Sequence, residues 1–223
     1  MPGTIVVGGQ YGSEGKGKVV SLLAHEMEAP YVVRCGGPNS GHSVDLGSET
    51  IVLRQVPSCP EHPEAIFVVA AGAVIDEQVL VEELDRLNIA RKRIFVDPRA
   101  VLVSEQDRIR ERQNLEHISS TCSGTGSALV ERMSRRLGVR LAKDSEVLAK
   151  RCTLRVAAEL LHCELRKGGD VLVEGTQGFG LSLLHGAEYP YVTSRDTTAA
   201  AFAMEAGPTR HKTFKNNELG LRN

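Results

Sequence analysis

The chain has almost no excess of charge: 27 Lys and Arg stand against 28 Asp and Glu, a formal net charge of −1. No overall field draws it toward nucleic acid or a membrane, so an anionic ligand has to be held by a local site. It has no apolar run near the roughly 18 residues that cross a bilayer. Its N-terminus also has no charged segment followed by an apolar one. These absences predict a cytoplasmic protein with neither a nucleic acid nor a membrane as partner. Paired cysteine spacing is missing too, since Cys35, Cys59, Cys122, Cys152 and Cys163 are scattered, which fits free thiols. Cys59 and His62 have the C-x-x-H spacing of a zinc half-site, but no second half follows, and Pro60 and Pro63 mark a turn. Internal repeats and low-complexity tracts are absent. What is present is 223 residues with 41% hydrophobic content, enough for a sizeable core in one large α/β domain or in a domain with a lobe attached.

Strand-like and helix-like runs alternate in the first half. Thr4–Val7, Tyr31–Arg34, Thr50–Val56, Ile66–Ala70 and Ile94–Val96 read as strands, and the stretches near Lys16–Glu28 and Glu77–Leu87 as helices. That alternation predicts an α/β fold with a central, largely parallel sheet flanked by helices. Ser104–Glu116 is polar with a weak apolar stripe. Ser119–Ser127 reads as a mobile loop entering a helix near Ala128–Arg136. Arg151–Arg166 has helical apolar spacing, and Asp170–Val173 is a short buried-type strand.

The run Gly8-Gly9-Gln10-Tyr11-Gly12-Ser13-Glu14-Gly15-Lys16-Gly17-Lys18 follows a strand and opens a helix, and it reads as a phosphate-binding turn. Its glycines let backbone N–H groups approach an anion, and the helix that starts near Gly15 adds free donors and a positive dipole end. Gly12-x-x-x-x-Gly17-Lys18 is most of a Walker A motif, yet Val19 stands where Ser or Thr would hold magnesium.

Three more blocks carry polar groups on open backbone. Arg34-Cys35-Gly36-Gly37-Pro38-Asn39-Ser40-Gly41-His42-Ser43 follows a strand, so its amide, backbone and imidazole face a ligand. Ser120–Ser127, with Arg132, Arg135 and Arg136 downstream, suits a phosphomonoester; a capped surface helix with a solvated basic face is the alternative. Glu174-Gly175-Thr176-Gln177-Gly178 repeats the strand-then-glycine logic of the opening, so the two turns are expected to face one cleft. His185 to Ser194 then supplies hydroxyls that could orient a heterocycle or phosphate, although Tyr189-Pro190-Tyr191 taken alone reads as a packing turn.

Together, in this order, the four blocks resemble the adenylosuccinate synthetase family over residues 3 to 207. The family's opening turn is G-x-Q-[WY]-G-D-E-G-K-G-K, and its later blocks are like Gly36–Ser43, Thr121–Arg136 and Glu174–Thr198 here. The resemblance implies a homodimeric ligase that uses ATP or GTP with Mg2+ to phosphorylate the 6-oxygen of a purine monophosphate, and then lets L-aspartate displace that phosphate. It implies that Gly12, Gly15, Lys16 and Gly17, within the turn that also holds Glu14 and Lys18, cradle the transferred phosphoryl group. Gly41 would lend a carbonyl to magnesium. His42, followed by Ser43, would stabilise charge on the γ-phosphate or act as a general acid. Asn39, Thr121, Gln177 and Thr193 match positions that hold the monophosphate, and Arg135 matches an arginine that reaches across the dimer.

Two departures qualify the resemblance. Ser13 stands where the family places an aspartate that takes the purine N1 proton and ligates magnesium. A serine is a poor base. It is nevertheless, by position, a candidate catalytic residue with His42 and Lys16 and a candidate metal residue with Gly41. The phage 2-aminoadenylosuccinate synthetases are similar in having serine there, and they act on dGMP; serine is smaller than aspartate and can pair with a donor or an acceptor beside N1. The resemblance therefore implies a dGMP-type purine nucleotide–aspartate ligase, with ordinary synthesis from IMP as the alternative. A non-catalytic nucleotide-binding relative is a second class and a P-loop NTPase a third, against which Val19 argues. The second departure lies at the end of the chain. No aspartate-binding loop or triphosphate-base motif is visible, so a single family domain over 1–223 is expected to be incomplete at or within about 207–223.

Overall fold

Short β-branched and apolar runs bounded by glycine and proline become the strands of one parallel sheet. The structure is a computed structural model and describes residues 3–47 and 49–207. In chain order the first elements are β1 (Thr4–Val6), α1 (Lys16–His25), β2 (Tyr31–Arg34), β3 (His42–Asp45), β4 (Thr50–Leu53), β5 (Ile66–Val69), β6 (Val74–Ile75) and α2 (Glu77–Arg86). They are followed by β7 (Ile94–Val96), β8 (Val101–Leu102), α3 (Glu105–Leu115), α4 (Thr125–Met133), α5 (Glu146–Arg151), β9 (Thr153–Leu154), α6 (Ala157–Lys167), β10 (Val171–Glu174) and α7 (Ala199–Ala206).

Six strands in the order β1-β10-β2-β5-β7-β9 run parallel. Alternate residues feed opposite layers, as the period of two requires. Val32, Phe67 and Leu172 pack with Val20 of α1, Leu80 of α2 and Leu148 of α5. Val33, Val68 and Val173 pack with Leu161 of α6 and Phe202 of α7 on the other face. The expected α/β architecture is therefore present. β3 and β4 form an antiparallel hairpin, and β6 and β8 a short parallel pair.

Several expected boundaries differ. The helical spacing over 151–166 does not give one helix. Cys152 is fully buried and Thr153–Leu154 joins the sheet beside β7, so α6 starts only at Ala157. Pairing with a buried strand here overrides local periodicity. The strand expected over Thr50–Val56 stops at Leu53 because the N–H groups of Arg54, Gln55 and Val56 all donate to the Glu83 carboxylate, at 2.6, 3.0 and 2.8 Å. α1 ends at His25, short of Glu28, while Ser104–Glu116 holds α3. α4 begins at Thr125, earlier than Ala128, so the expected loop over 119–127 gives its last three residues to a helix. The strand over His42–Asp45 had no expected counterpart, and residues 208–223 lie outside the described residues.

Candidate functional site

The last residues of three neighbouring strands stand in register, Val6 beside Glu174 and Glu174 beside Arg34. Parallel register puts the Arg34 and Glu174 side chains on one face of the sheet, under the hairpin. There Glu174, fully buried, accepts from Arg34 Nη1 at 2.5 Å, from Ser58 Oγ at 2.5 Å and from the Ser58 N–H at 2.9 Å. His42 Nδ1, from β3, meets the same carboxylate. Burial pushes the Glu174 carboxyl up, but the Arg34 guanidinium, His42 and Ser58 outweigh it and hold the group at about 2. Nδ1 faces both this carboxylate, which can only accept, and Arg34 Nη1 at 2.6 Å, which can only donate, so its contacts do not assign the ring proton to one nitrogen. Nε2 is buried with no hydrogen-bond partner. Burial, reinforced by Arg34, lowers the His42 pKa against the pull of Glu174, so the ring is neutral at neutral pH. The arrangement is a preset imidazole with one unspent nitrogen.

The glycine turn leaves β1 and enters α1. Glu14 Oε1 accepts from the N–H groups of Gly9 and Gln10, both at 2.9 Å, and Oε2 accepts from Gly12 at 3.1 Å. Lys16 Nζ donates to the Gly12 carbonyl at 2.7 Å. Lys16 is buried, and burial lowers its pKa against the opposing pull of Glu14. Gly12 has φ +100° and its missing Cβ would lie 3.1 Å from the Gln177 backbone, so a side chain there is excluded twice. A Cβ on Gly17 would fall 2.9 Å from His42 Cβ, which is what lets the first turn of α1 press against the hairpin. That first turn has no acidic side chain and no side-chain cap, leaving its N–H groups for a ligand. Ser13 and Lys18 are exposed, as are Gly41 and Ser43 at the start of the hairpin. The two glycine turns interlock, with Phe179 N–H donating to Gly8 O at 2.9 Å and Gly180 N–H to Gln10 O at 2.7 Å.

Beside them opens a cleft of about 540 Å³. Asn39, Thr121, Gln177 and Thr193, from four separate sequence blocks, all line it, and Tyr189 and Tyr191 form part of its wall. Gln177, at φ +62°, holds a left-handed backbone that a side chain seldom adopts, a conformation kept where surroundings dictate it. Arg135 is exposed just past α4 and is not among the residues lining the cleft.

Four residues to which the sequence assigned no role complete these sites, two of them, Arg34 and Glu174, at the heads of blocks already named. Arg34, Ser58 and Glu174 fix His42, and Glu111 of α3 accepts from the N–H groups of Gly124, Gly126 and Ser127 at 2.7, 2.6 and 3.1 Å. The legible signal was a charged residue closing each of two apolar parallel strands; Ser58 and Glu111 gave none.

A magnesium site is not assembled by these residues alone. Ser13 and Gly41 would offer one hydroxyl and one carbonyl, whereas magnesium is ordinarily held by one or two carboxylates with substrate phosphates. Glu14 is engaged by three amides, and among the described residues no group of three or more His, Cys, Asp and Glu is placed to hold a metal. His62 Nδ1 accepts from the N–H groups of Glu64 and Ala65, a structural use that leaves no zinc half-site.

The chain is 40% identical over 216 residues to the adenylosuccinate synthetase of Methanocaldococcus jannaschii, covering 93% of this chain and 61% of the relative. It is 41% identical over 220 residues to that of Methanococcus vannielii, covering 94% and 63%. It therefore spans about six-tenths of the length of these curated relatives. Among solved structures it is similar to the succinoaminodeoxyadenylate synthetase of cyanophage S-2L bound to dGMP and dATP, with TM-score 0.80 and 29% identity over 92% of this chain and 59% of the other. The fully ligated adenylosuccinate synthetase from Plasmodium falciparum shares the fold, with TM-score 0.82 and 24% identity over 96% and 60%. The family model for adenylosuccinate synthetase matches residues 5–158 and 145–216. Matched by the family model over most of its length and 40% identical to a curated member, the chain belongs to the adenylosuccinate synthetase family.

Proposed function

We propose that this chain is the nucleotide-binding part of a purine nucleotide–aspartate ligase that acts on dGMP as a homodimer. In the first step purine O6 attacks the γ-phosphorus of ATP or GTP. The bond to the departing diphosphate breaks and the N1 proton passes to water, because the Ser13 hydroxyl is no base at neutral pH. In the second step the amine of L-aspartate attacks C6, the C6–O bond breaks, inorganic phosphate leaves, and the proton released by the amine passes to water. Gly12, Gly15, Lys16 and Gly17 cradle the phosphoryl group. His42 presents Nε2 to it; the approaching phosphate charge favours protonation of the ring, and Glu174 holds the Nδ1 side. Asn39, Thr121, Gln177 and Thr193 hold the monophosphate, and Arg135 reaches the site of a second copy. The reading places the protein in the cytoplasm, that of a host if a phage encodes it.

The observation that carries this reading is the convergence of Asn39, Thr121, Gln177 and Thr193 on one cleft. Asn39 is three residues from His42 and Gln177 three from Glu174, so the monophosphate and the imidazole are positioned by the same two loops. Ser13 and the likeness to a synthetase solved with dGMP favour guanine. The archaeal relatives, named adenylosuccinate synthetases, favour IMP as the second reading.

Product mass spectrometry after incubation with magnesium, ATP or GTP, aspartate and either dGMP or IMP decides between them. A succinylated product from dGMP alone supports the proposal, one from IMP alone supports the second reading, and bound monophosphate without product leaves a non-catalytic relative. Ser13→Asp is expected to shift the dGMP-to-IMP ratio of kcat/KM by about tenfold toward IMP, and an unchanged ratio would deny Ser13 a part in choosing the base.

A further inference from the structure

A nucleoside monophosphate brings an anionic phosphate into the cleft, and the cleft as built offers little charge to meet it. Asn39, Thr121, Ser123 and Thr193 contribute neutral dipoles. The ready-made anion cradle, the N-terminus of α4, is already filled by the Glu111 carboxylate on the N–H groups of Gly124, Gly126 and Ser127. Glu111 also lines the cleft and adds negative charge of its own.

Among the described residues that line the cleft there is no lysine or arginine, and His117 alone can carry a positive charge. It is exposed, in the short turn Glu116–Ile118, four residues before Thr121. Left-handed backbone at Ser119 (φ +54°) and Cys122 (φ +50°) folds this segment, and His117 and Thr121 both line the cleft.

We infer that His117 is a phosphate-binding residue of this cleft, its ring donating to the 5′-phosphate of the purine nucleotide. An imidazole N–H donating to an anionic phosphate oxygen makes a charge-assisted contact. The inference rests on the assignment of the cleft to a monophosphate.

Titration calorimetry of the 223-residue protein with dGMP and IMP, and with deoxyguanosine and inosine, separates the two. His117→Ala is expected to weaken the monophosphates about tenfold while changing nucleoside binding by less than about twofold, and His117→Lys to recover most of the loss. Equal monophosphate affinity in His117→Ala and wild type would overturn the inference, as would an equal loss for monophosphate and nucleoside, which marks a merely structural residue. It is overturned too if Arg135→Ala removes the whole preference for the phosphate while His117→Ala removes none, since a second copy's Arg135 would then supply the charge. Wild-type protein that binds neither monophosphate overturns the cleft assignment itself, a result visible before any variant is made.

Discussion

The Glu174 cluster and the cleft share two loops, yet they treat polar groups in opposite ways. Around Glu174 nearly every polar group is buried and satisfied from within the chain, by Arg34, Ser58 and His42. Only His42 Nε2 and Arg34 Nε are left over. In the cleft, hydroxyls and amides stand open and Thr121 is exposed. The cluster is a device finished before a ligand arrives; the cleft is finished by the ligand and by groups added to it. Chemistry that needs a fixed proton donor or acceptor gains from the first arrangement, and recognition of a mobile nucleotide gains from the second.

The most severe way to break the comparison is to remove the centre of the cluster. Glu174→Ala leaves a buried guanidinium and a polar Ser58 unpaired, and a loss of about 3–5 kcal/mol in urea unfolding is expected. Glu174→Gln, which keeps the shape, should lose less. If Glu174→Ala unfolds at the wild-type midpoint, the cluster is not a structural unit.

Acid should act through the same group without mutation. Glu174 has its carboxyl lowered from 4.5 to about 2, so the folded state binds fewer protons than the unfolded chain between those values. Its contribution is complete above about pH 4.5 and is lost as pH falls through about 2, a change of roughly 3 kcal/mol for the coupled cluster. His42, also lowered, has the same sign, costing stability as pH drops below the ordinary imidazole value of 6.5. Thermal melts from pH 7 to pH 3 should therefore fall steadily, and a flat profile would contradict the buried charges.

His42→Ala should separate the two regions, because it removes the unspent nitrogen and touches none of the four cleft residues. Turnover is expected to drop at least about 100-fold while monophosphate binding stays within about twofold. An equal loss in both would merge the regions into one. Glu111→Ala tests the cleft from its outer wall. It leaves three α4 N–H groups without their carboxylate, at a cost of about 1–3 kcal/mol in stability, and, by taking a negative charge out of the cleft and freeing that anion cradle, should lower KM for the monophosphate.

Much of this was legible before folding because it is local. The glycine turn needs positive φ at Gly12 and Gly15, and the sequence writes that need as glycine. Asn39, Thr121, Gln177 and Thr193 were legible through the resemblance to the adenylosuccinate synthetase family, whose motifs mark them position by position. Ser58 and Glu111 were not legible, since their partners are fixed only when the sheet brings residues 116 positions apart together, in the case of Ser58, or packs α3 on α4, in the case of Glu111. The same holds for the broken helix at Cys152. Its local spacing is helical, and only the presence of β7 as a pairing partner turns Thr153–Leu154 into a strand.

Glu14 gives the opening turn a permanent guest. Three amides that point inward around its carboxylate would repel one another if left empty, and a loop so wound would otherwise wait for an outside anion to choose its shape. By carrying that anion on its own chain, the turn meets its ordering entropy during folding, and under the proposed function an incoming phosphate would not have to supply it.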